Sequence, residues 1–537
     1  MISRPASPAP IPRGSEIVPE SGGGALSSSS RSIVLGLAPP PEMRPDPRAR
    51  RNDGLALAGV ACLFLGGAAS FVDPDVFHCM SLARESIAAG RLLASDVYAY
   101  TPTVTPVVHH EWLHGIILHG ILAWGGASLF LAWKYVLVLA IGICAFLLSS
   151  RRGASAAAFA ILAPAAILMA WTGMTTIRAQ MYTLLFTAIL LHFLEDDRAG
   201  RKLWVLPWLV LHVLWLNIHG GFVVGCALVA LHAVEQALRR RPVGHVLLGL
   251  AGAAALIAAN PYGLEYYGYL ARAIFLDRSS ISEWEPLWRG FPPVLLIWSI
   301  SLVVPAYAIA RKGLRGSPGA LLLAATAWAS LRHQRHLSIH AVVWISIVPS
   351  LIEGTILGEM LRRFQMRRMA TALWMALLLG ALTLSVLFSK PWILAVPAHP
   401  GDSEKILYPS AALEYLKVSG FRGNVIVPFT LGAYVSWKLH PAVRVSIDGR
   451  YEVAYDPALL EEHVVFYNAR EGWKDFLLRY PSDLALIPRN RIVAPRMRAE
   501  SGWSVVYEDD AFEIYARPGL ELPVSSRRGE RLVGTFP

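Results

Sequence analysis

Long apolar runs separated by short basic clusters fill the chain from Leu55 to Phe388. The first, Leu55 to Val72, is long enough to cross a bilayer core as a helix at about 1.5 Å rise per residue. Further runs near 128–149, 154–171, 181–197, 203–219, 221–238, 243–259, 294–310, 318–331, 337–353 and 370–388 predict about eleven transmembrane helices in all. Leu113 to Trp124 is apolar but short, and with His114, Gly115, His119 and Gly120 it suits an interfacial helix rather than a span. Past Lys390 the pattern changes. GNVIVPF and VRVSID read as short buried strands, SAALEYLKVSG as a helix stopped by Gly420, DLALIP as a strand, and WSVVYED with AFEIYARP as a terminal hairpin. Residues 1–52 are rich in Pro, Ser, Gly and Arg and lack apolar periodicity, which predicts a disordered tail. The expected architecture is an α-helical polytopic membrane protein, with its transmembrane domain over 53–389 and a soluble α/β domain over 390–537. A cleavable signal peptide would begin near residue 1, so the helix after the tail is expected to be uncleaved.

Composition fixes the solvent. Of 537 residues 54% are hydrophobic and 16% charged, and the mean hydropathy is +0.45, which is too apolar for a soluble protein of this length. The net charge of +11 falls in short runs at Arg151–Arg152, Arg198–Lys202, Arg239–Arg241, Arg311–Arg315 and Arg362–Arg368. The positive-inside rule places these runs with the N-terminal tail in the cytoplasm of a multi-pass inner-membrane protein. An odd number of spans then puts the C-terminal domain outside the cytoplasm. No basic, aromatic-interleaved soluble patch is visible, so nucleic acid is not an expected partner. Of the four cysteines, Cys62, Cys144 and Cys226 lie in apolar runs and Cys79 in a loop, so no disulfide framework is read.

By this topology the outer ends collect the unusual polar groups. The loop from FVDPDVFHC to VVHHEWLH carries Asp73, Asp75, His78, Asp96, His109, His110, Glu111 and His114. TGMTTIRAQM adds Arg178 and Gln180, LNIHGG adds Asn217 and His219, NPYG adds Asn260, and ISEWEP adds Glu283 and Glu285. RHQRHLSIH adds Arg332, Arg335 and His336. Ionisable groups at membrane depth are costly and usually face a cavity or a partner. Two acids around Pro74 do not suit one helical turn, so Asp73 and Asp75 are expected to flank a tight bend. HHEWLH is not HExxH, yet on a helix His110 and His114 share a face, which leaves a metal cluster and an interfacial Trp belt as alternatives. Helical spacing in RHQRH puts Arg332, Arg335 and His336 on one face, a fork for phosphate, with snorkelling cations as the alternative. Asp448-Gly449-Arg450 reads as a turn ordering the domain or its contact with the membrane part, with acceptor or sugar contact as the alternative.

A first helix followed by D-P-D-x-x-H (Asp73 to His78), then Ala88-Ala89-Gly90, the S-D-x-Y-x-Y-T element Ser95–Thr101 and H-E-W-L resembles the first outer loop of bacterial polytopic glycosyltransferases of the GT-C superfamily. IRAQMYTLLF, LWLNIHGGFVVG, ANPYG, SEWEP and RHQRH agree with that resemblance, as do PFTLGAYVSWKLHPAVRVSIDGRYEVAY and the closing WSVVYEDDAFEIYAR. Val76-Phe77 stand where two aromatic residues are common. The subgroup it resembles is mannosyltransferase- or arabinosyltransferase-like, with a C-terminal extracytoplasmic domain. The resemblance implies an enzyme that moves a sugar from a polyprenyl-phosphate carrier to a glycan, lipid or protein acceptor at the outer membrane face. It implies a catalytic acid at Asp75 or Asp73, with His78 beside them. Donor contacts are expected at Arg178, Gln180, Asn217, His219, Glu283, Arg332, Arg335 and His336, and acceptor contact or loop order at Asp96, His110 and Glu111. No cofactor is implied; Asp73, Asp75 and Glu111 are available to a divalent metal. There is no nucleotide-binding glycine loop or hydrolase elbow, so a nucleotide sugar is not the expected direct donor. The rival expectations are a transporter or lipid flippase, which lacks support from any internal repeat, and a non-catalytic membrane scaffold.

Overall fold

Apolar periodicity and helix-stopping residues divide the chain much as the sequence does. The computed structural model describes residues 47–67, 72–275, 281–402 and 406–537, so most of the expected tail lies outside the described residues. The helices of the first part are α1 (Pro47–Gly67), α2 (Pro74–Ala89), α3 (Trp112–Arg151), α4 (Ala156–Thr175), α5 (Gln180–Arg198), α6 (Val205–Ile218) and α7 (Phe222–Leu238). They continue as α8 (Gly244–Ala255), α9 (Glu265–Phe275), α10 (Pro292–Lys312), α11 (Ala320–Arg332), α12 (Leu337–Ile352), α13 (Ile356–Gln365) and α14 (Arg368–Leu384). Every apolar run read from the sequence is helical over most of its length. Among the described residues, five helices are long and apolar enough to cross a membrane. The protein is an integral membrane protein. The short apolar stretch Leu113–Trp124 is continuous with the next run in α3, but Gly126, at φ 62° and ψ −161°, breaks the helical geometry between them.

The basic runs interlock at one end of the helices. Arg152 bonds Glu195, Arg198 bonds Glu235, Arg239 donates to the Leu314 carbonyl and Arg241 to the Arg198 carbonyl. The start of α1 is at that end as well, through chains of bonds from Asn52 to the Gln365 carbonyl and from Glu353 to Arg362 and the Ser155 N–H.

The last part alternates α15 (Ser410–Val418), α16 (Gly432–Leu439), α17 (Pro457–Tyr467), α18 (Asp475–Arg479) and α19 (Val493–Ala499) with strands. The strands are β1 (Gly423–Ile426), β2 (Val443–Val445), β3 (Leu484–Pro488), β4 (Ser504–Glu508), β5 (Phe512–Ala516) and β6 (Ser525–Ser526), in sheet order β2-β1-β3-β5-β4-β6. β1 runs parallel to β2 and β3, and β5 runs antiparallel to β3 and β4. Strand pleating sends neighbouring residues to opposite faces. Val425 therefore packs with Phe77 and Tyr434, whereas Ile426 packs with Phe466 and Phe476.

The first of those faces brings the sheet onto α2. The Phe77 ring lies edge-on to Tyr434 and Tyr408, with centroids 4.8 and 5.6 Å away. Arg84 donates to the Trp437 carbonyl at 3.1 Å and Tyr408 to the Val72 carbonyl at 2.7 Å. The loop after α2 runs beside β2, where the Tyr100 N–H bonds the Val445 carbonyl and the Val445 N–H bonds the Tyr98 carbonyl. Backbone pairing fixes that loop in register with the sheet.

Candidate functional site

α2 begins with Asp73 as N-cap, Pro74 as first helical residue and Asp75 behind it. The expected bend is thus the first turn of a helix. Proline is tolerated there because the N–H it lacks has no intrahelical partner, and an aspartate N-cap satisfies the next donor. The Asp73 carboxylate accepts from the Asp75 N–H at 3.0 Å. The helix runs until Gly90, which stops it at φ 65°.

Arg178, in the turn between α4 and α5, gathers three carboxylates. Its Nη2 lies 2.6 Å from Asp75 Oδ2, its Nε 3.4 Å from Asp73 Oδ2, and its Nη1 bonds Glu283. The two aspartates part company electrostatically. Burial, opposed by Arg178 and reinforced by the Asp75 charge, pushes Asp73 up to about 7. Burial also raises Asp75, but Arg178 and His78 outweigh it and hold that carboxyl below its ordinary value. Asp75 therefore stays ionised at neutral pH.

Asp75 faces a cavity of about 260 Å³. Its wall is built by His78 and Cys79 on α2, His109 to Trp112, His114 on α3, Arg178 and Gln180, His219, Glu283 and Trp284, and Arg335. The sheet region closes it with Phe429, Gly449, Arg450 and Tyr451. A Cβ on Gly449 would lie 3.5 Å from Asp75 Oδ1, so the Asp448-Gly449-Arg450 turn abuts the acid. Gly115 allows a second close approach: a Cβ there would meet the Cys79 carbonyl oxygen at 2.3 Å. That contact sets Cys79 Sγ 3.4 Å from Glu111 Oε2. Burial raises Glu111 against the pull of His110, and lowers His78. Burial, with Arg450 nearby, depresses His109 to about 3.

Several expected site residues do other work. α11 ends at Arg332 and His333 is extended, at φ −145° and ψ 121°, so Arg332, Arg335 and His336 share no helical face. Arg332 is exposed and does not line the cavity, and His336 lines a separate apolar crevice. Arg335 does line the cavity, with its guanidinium 4.5 Å from the centre of the Trp284 ring. Gln180 donates to the Arg335 carbonyl at 3.2 Å. Asn217 takes the Trp112 indole N–H at 3.0 Å and donates to the Val213 and Ala259 carbonyls, which makes it a tie between helices rather than a cavity residue. Asp96 is buried against Arg450, which lines the cavity, and does not itself line it. α3 starts at Trp112, so His110 and His114 do not share a helical turn, although both reach the cavity. His110 Nδ1 meets the Tyr269 hydroxyl at 3.0 Å. The Asn260 turn enters only indirectly, through the Tyr262 hydroxyl that accepts from the His109 N–H at 3.0 Å.

Cys79, Phe429 and Tyr451 also line the cavity, beyond the expected site residues. Tyr451, at φ 45°, holds a left-handed backbone that side chains rarely adopt, and it follows the DGR turn directly. That turn was the available signal.

The helical unit, the acid-bearing α2 and the sheet that covers it build an integral membrane protein whose fold is shared with known membrane-enzyme structures. The chain is similar to the apo oligosaccharyltransferase of Archaeoglobus fulgidus, at 11% identity and a TM-score of 0.51, over 90% of this chain and 76% of that one. It is also similar to the same archaeal enzyme tethered to an acceptor peptide containing an NVT sequon, at 11% identity and a TM-score of 0.50, over 82% and 69%. ArnT from Cupriavidus metallidurans bound to undecaprenyl phosphate aligns at 12% identity and a TM-score of 0.49, over 86% and 96%. No family model matches the sequence, and no curated protein does.

Proposed function

We propose that the protein is a membrane glycosyltransferase that moves a sugar from a polyprenyl-phosphate carrier to a nucleophile on a glycan, lipid or protein acceptor at the outer face of the inner membrane. One observation carries the reading: Asp75, kept ionised by Arg178, faces a cavity that also holds Arg335. In this reading about eleven helices span the bilayer, with the basic end cytoplasmic and the sheet outside. The acceptor oxygen attacks the anomeric carbon while its proton passes to Asp75. The bond from that carbon to the phosphate oxygen breaks, and its electron pair leaves on the polyprenyl phosphate. A positioned base and a cation near the departing phosphate are what such a transfer needs.

Asp73 suits positioning better than proton transfer, since it caps α2 and its side chain is 12% exposed against 35% for Asp75. Arg178 orients and ionises the base, because its three N–H faces are taken by carboxylates. Arg335, which lines the same cavity, is the phosphate contact in this reading. A crevice of about 210 Å³ between α7 and α11, lined by Val224, Leu228, Leu231, Ala325 and His336, is apolar enough for a prenyl chain. His336 and Arg335 are consecutive, so headgroup and chain would be held side by side.

The test is transfer from a labelled polyprenyl-phosphate sugar pool in membranes, with folding checked by thermal unfolding. Asp75→Asn keeps the shape, removes the base and is expected to cost about 10² to 10⁴ in rate. Full transfer by Asp75→Asn with none by Asp73→Asn would exchange their roles, and full transfer by the double variant would end the reading.

A further inference from the structure

We propose that His78, Cys79 and Glu111 form a zinc site on the cavity wall, with its fourth position open to the cavity. One donor atom from each lies within 4.8 Å of the others. Tetrahedral zinc with bonds of about 2.0 to 2.3 Å needs ligand atoms roughly 3.3 to 3.7 Å apart. The Cys79 Sγ to Glu111 Oε2 separation is 3.4 Å, so that edge is already set, and the His78 donor lies within 4.8 Å of both. His78 Nδ1 is buried and has no hydrogen-bond partner among the described residues. An ion would satisfy it.

The donor set argues for the metal. A thiolate beside imidazole and carboxylate favours zinc over magnesium or calcium, which take oxygen ligands. Three protein ligands with one open position are the arrangement of zinc sites that bind water or substrate oxygen. The supporting groups also fit. His219 Nδ1 accepts the Gly221 N–H at 3.1 Å and meets the Thr183 hydroxyl at 2.7 Å, so the proton of the neutral ring sits on Nε2. That Nε2 lies 3.5 Å from Glu111 Oε1, on the carboxylate oxygen away from Cys79. His219 thus stands beside Oε1 and leaves Oε2 for the ion, the place that outer partners of metal ligands take. The close packing of Gly115 on the Cys79 carbonyl holds α2 and α3, and so the ligands, at fixed spacing. On binding, the Cys79 thiol gives its proton to solvent and its sulfur lone pair to the ion; no electron is exchanged.

The site stands independently of glycosyl transfer, because metal content reports it directly. The full chain in detergent, stripped with chelator, incubated with zinc and freed of excess by gel filtration, is expected to retain one zinc with a sulfur neighbour at about 2.3 Å in X-ray absorption. Cobalt(II) in place of zinc is expected to give a thiolate charge-transfer band that Cys79→Ser abolishes and Cys62→Ser and Cys226→Ser preserve. His219→Gln is expected to weaken zinc about ten- to hundred-fold. A chain that retains no zinc, a metal shell without sulfur, or a cobalt band that survives Cys79→Ser would overturn the proposal and show that Cys79 and Glu111 are a plain hydrogen-bonded pair.

Discussion

Arg450 of the sheet region and Asp96 of the loop after α2 form an ion pair in which the side chains are 2% and 1% exposed. Arg450 also binds Asp448 at 2.8 Å and the Tyr455 hydroxyl at 3.2 Å, and Asp96 accepts from the Tyr98 and Ala99 N–H groups. The pair ties the Asp448-Gly449-Arg450 turn, which abuts Asp75, to the loop that leads back to α2. Removing one member of a buried pair strands the other charge, at about 3 to 5 kcal/mol. Arg450→Met strands both Asp96 and Asp448, whereas Asp96→Asn leaves Arg450 paired with Asp448. Thermal unfolding in detergent is expected to show the larger loss in Arg450→Met; equal, small losses would mean the sheet is not held by this pair.

The fold was legible in the sequence wherever one physical rule governs a long stretch. Apolar runs such as 154–171 and 370–388 and strand patterns such as DLALIP gave elements at the observed places, because span length and pleat alternation are local properties. The candidate site was legible by residue but not by arrangement. Pro74 reads as a helix breaker until Asp73 is seen to be its cap, and Arg335 reads as one helical face with Arg332 until the chain turns at His333. The three carboxylates on Arg178 come from two distant stretches, Asp73-Pro74-Asp75 and Glu283, and no local pattern encodes their meeting with Arg178. Cys79 is a lone loop cysteine in the sequence. It becomes a candidate ligand only because Gly115 lets two helices touch.

Asp73 gives a pH dependence with a defined sign. Raised by burial from 3.8 to about 7, its carboxyl binds a proton more tightly folded than unfolded. Its contribution to stability is therefore complete below the unfolded value and is lost as pH rises through about 7. Wild-type protein is expected to lose more thermal stability than Asp73→Asn between about pH 4 and about pH 7. Parallel curves for the two proteins across that window would show that folding does not raise the Asp73 carboxyl.

Gly115→Ala tests the spacing of α2 and α3. The new Cβ would come 2.3 Å from a backbone oxygen, so the helices must separate rather than a side chain rotate away. Overpacking of this kind costs about 1 to 3 kcal/mol. Movement of α2 also displaces Asp75, so transfer is expected to fall by more than stability does. Full transfer in a stable Gly115→Ala protein would show that the acid does not depend on this contact.

Arg335 and Arg332 offer the sharpest comparison, because their chemistry is the same and their placement is not. Arg335 lines the cavity with its guanidinium over Trp284, while Arg332 is exposed at the end of its helix. A charge-assisted bond to phosphate contributes about 1.5 to 3 kcal/mol, or about ten- to hundred-fold in affinity. Arg335→Ala is therefore expected to raise KM for a polyprenyl-phosphate sugar by that factor, and Arg332→Ala to leave it within about two-fold, as a solvated charge does. Arg335→Lys should recover part of the loss, since the charge remains and the planar fork does not. Measured in detergent with a water-dispersible short-chain donor, an unchanged KM in Arg335→Ala would move the phosphate elsewhere in the cavity, and a large rise in Arg332→Ala would restore the two-arginine fork.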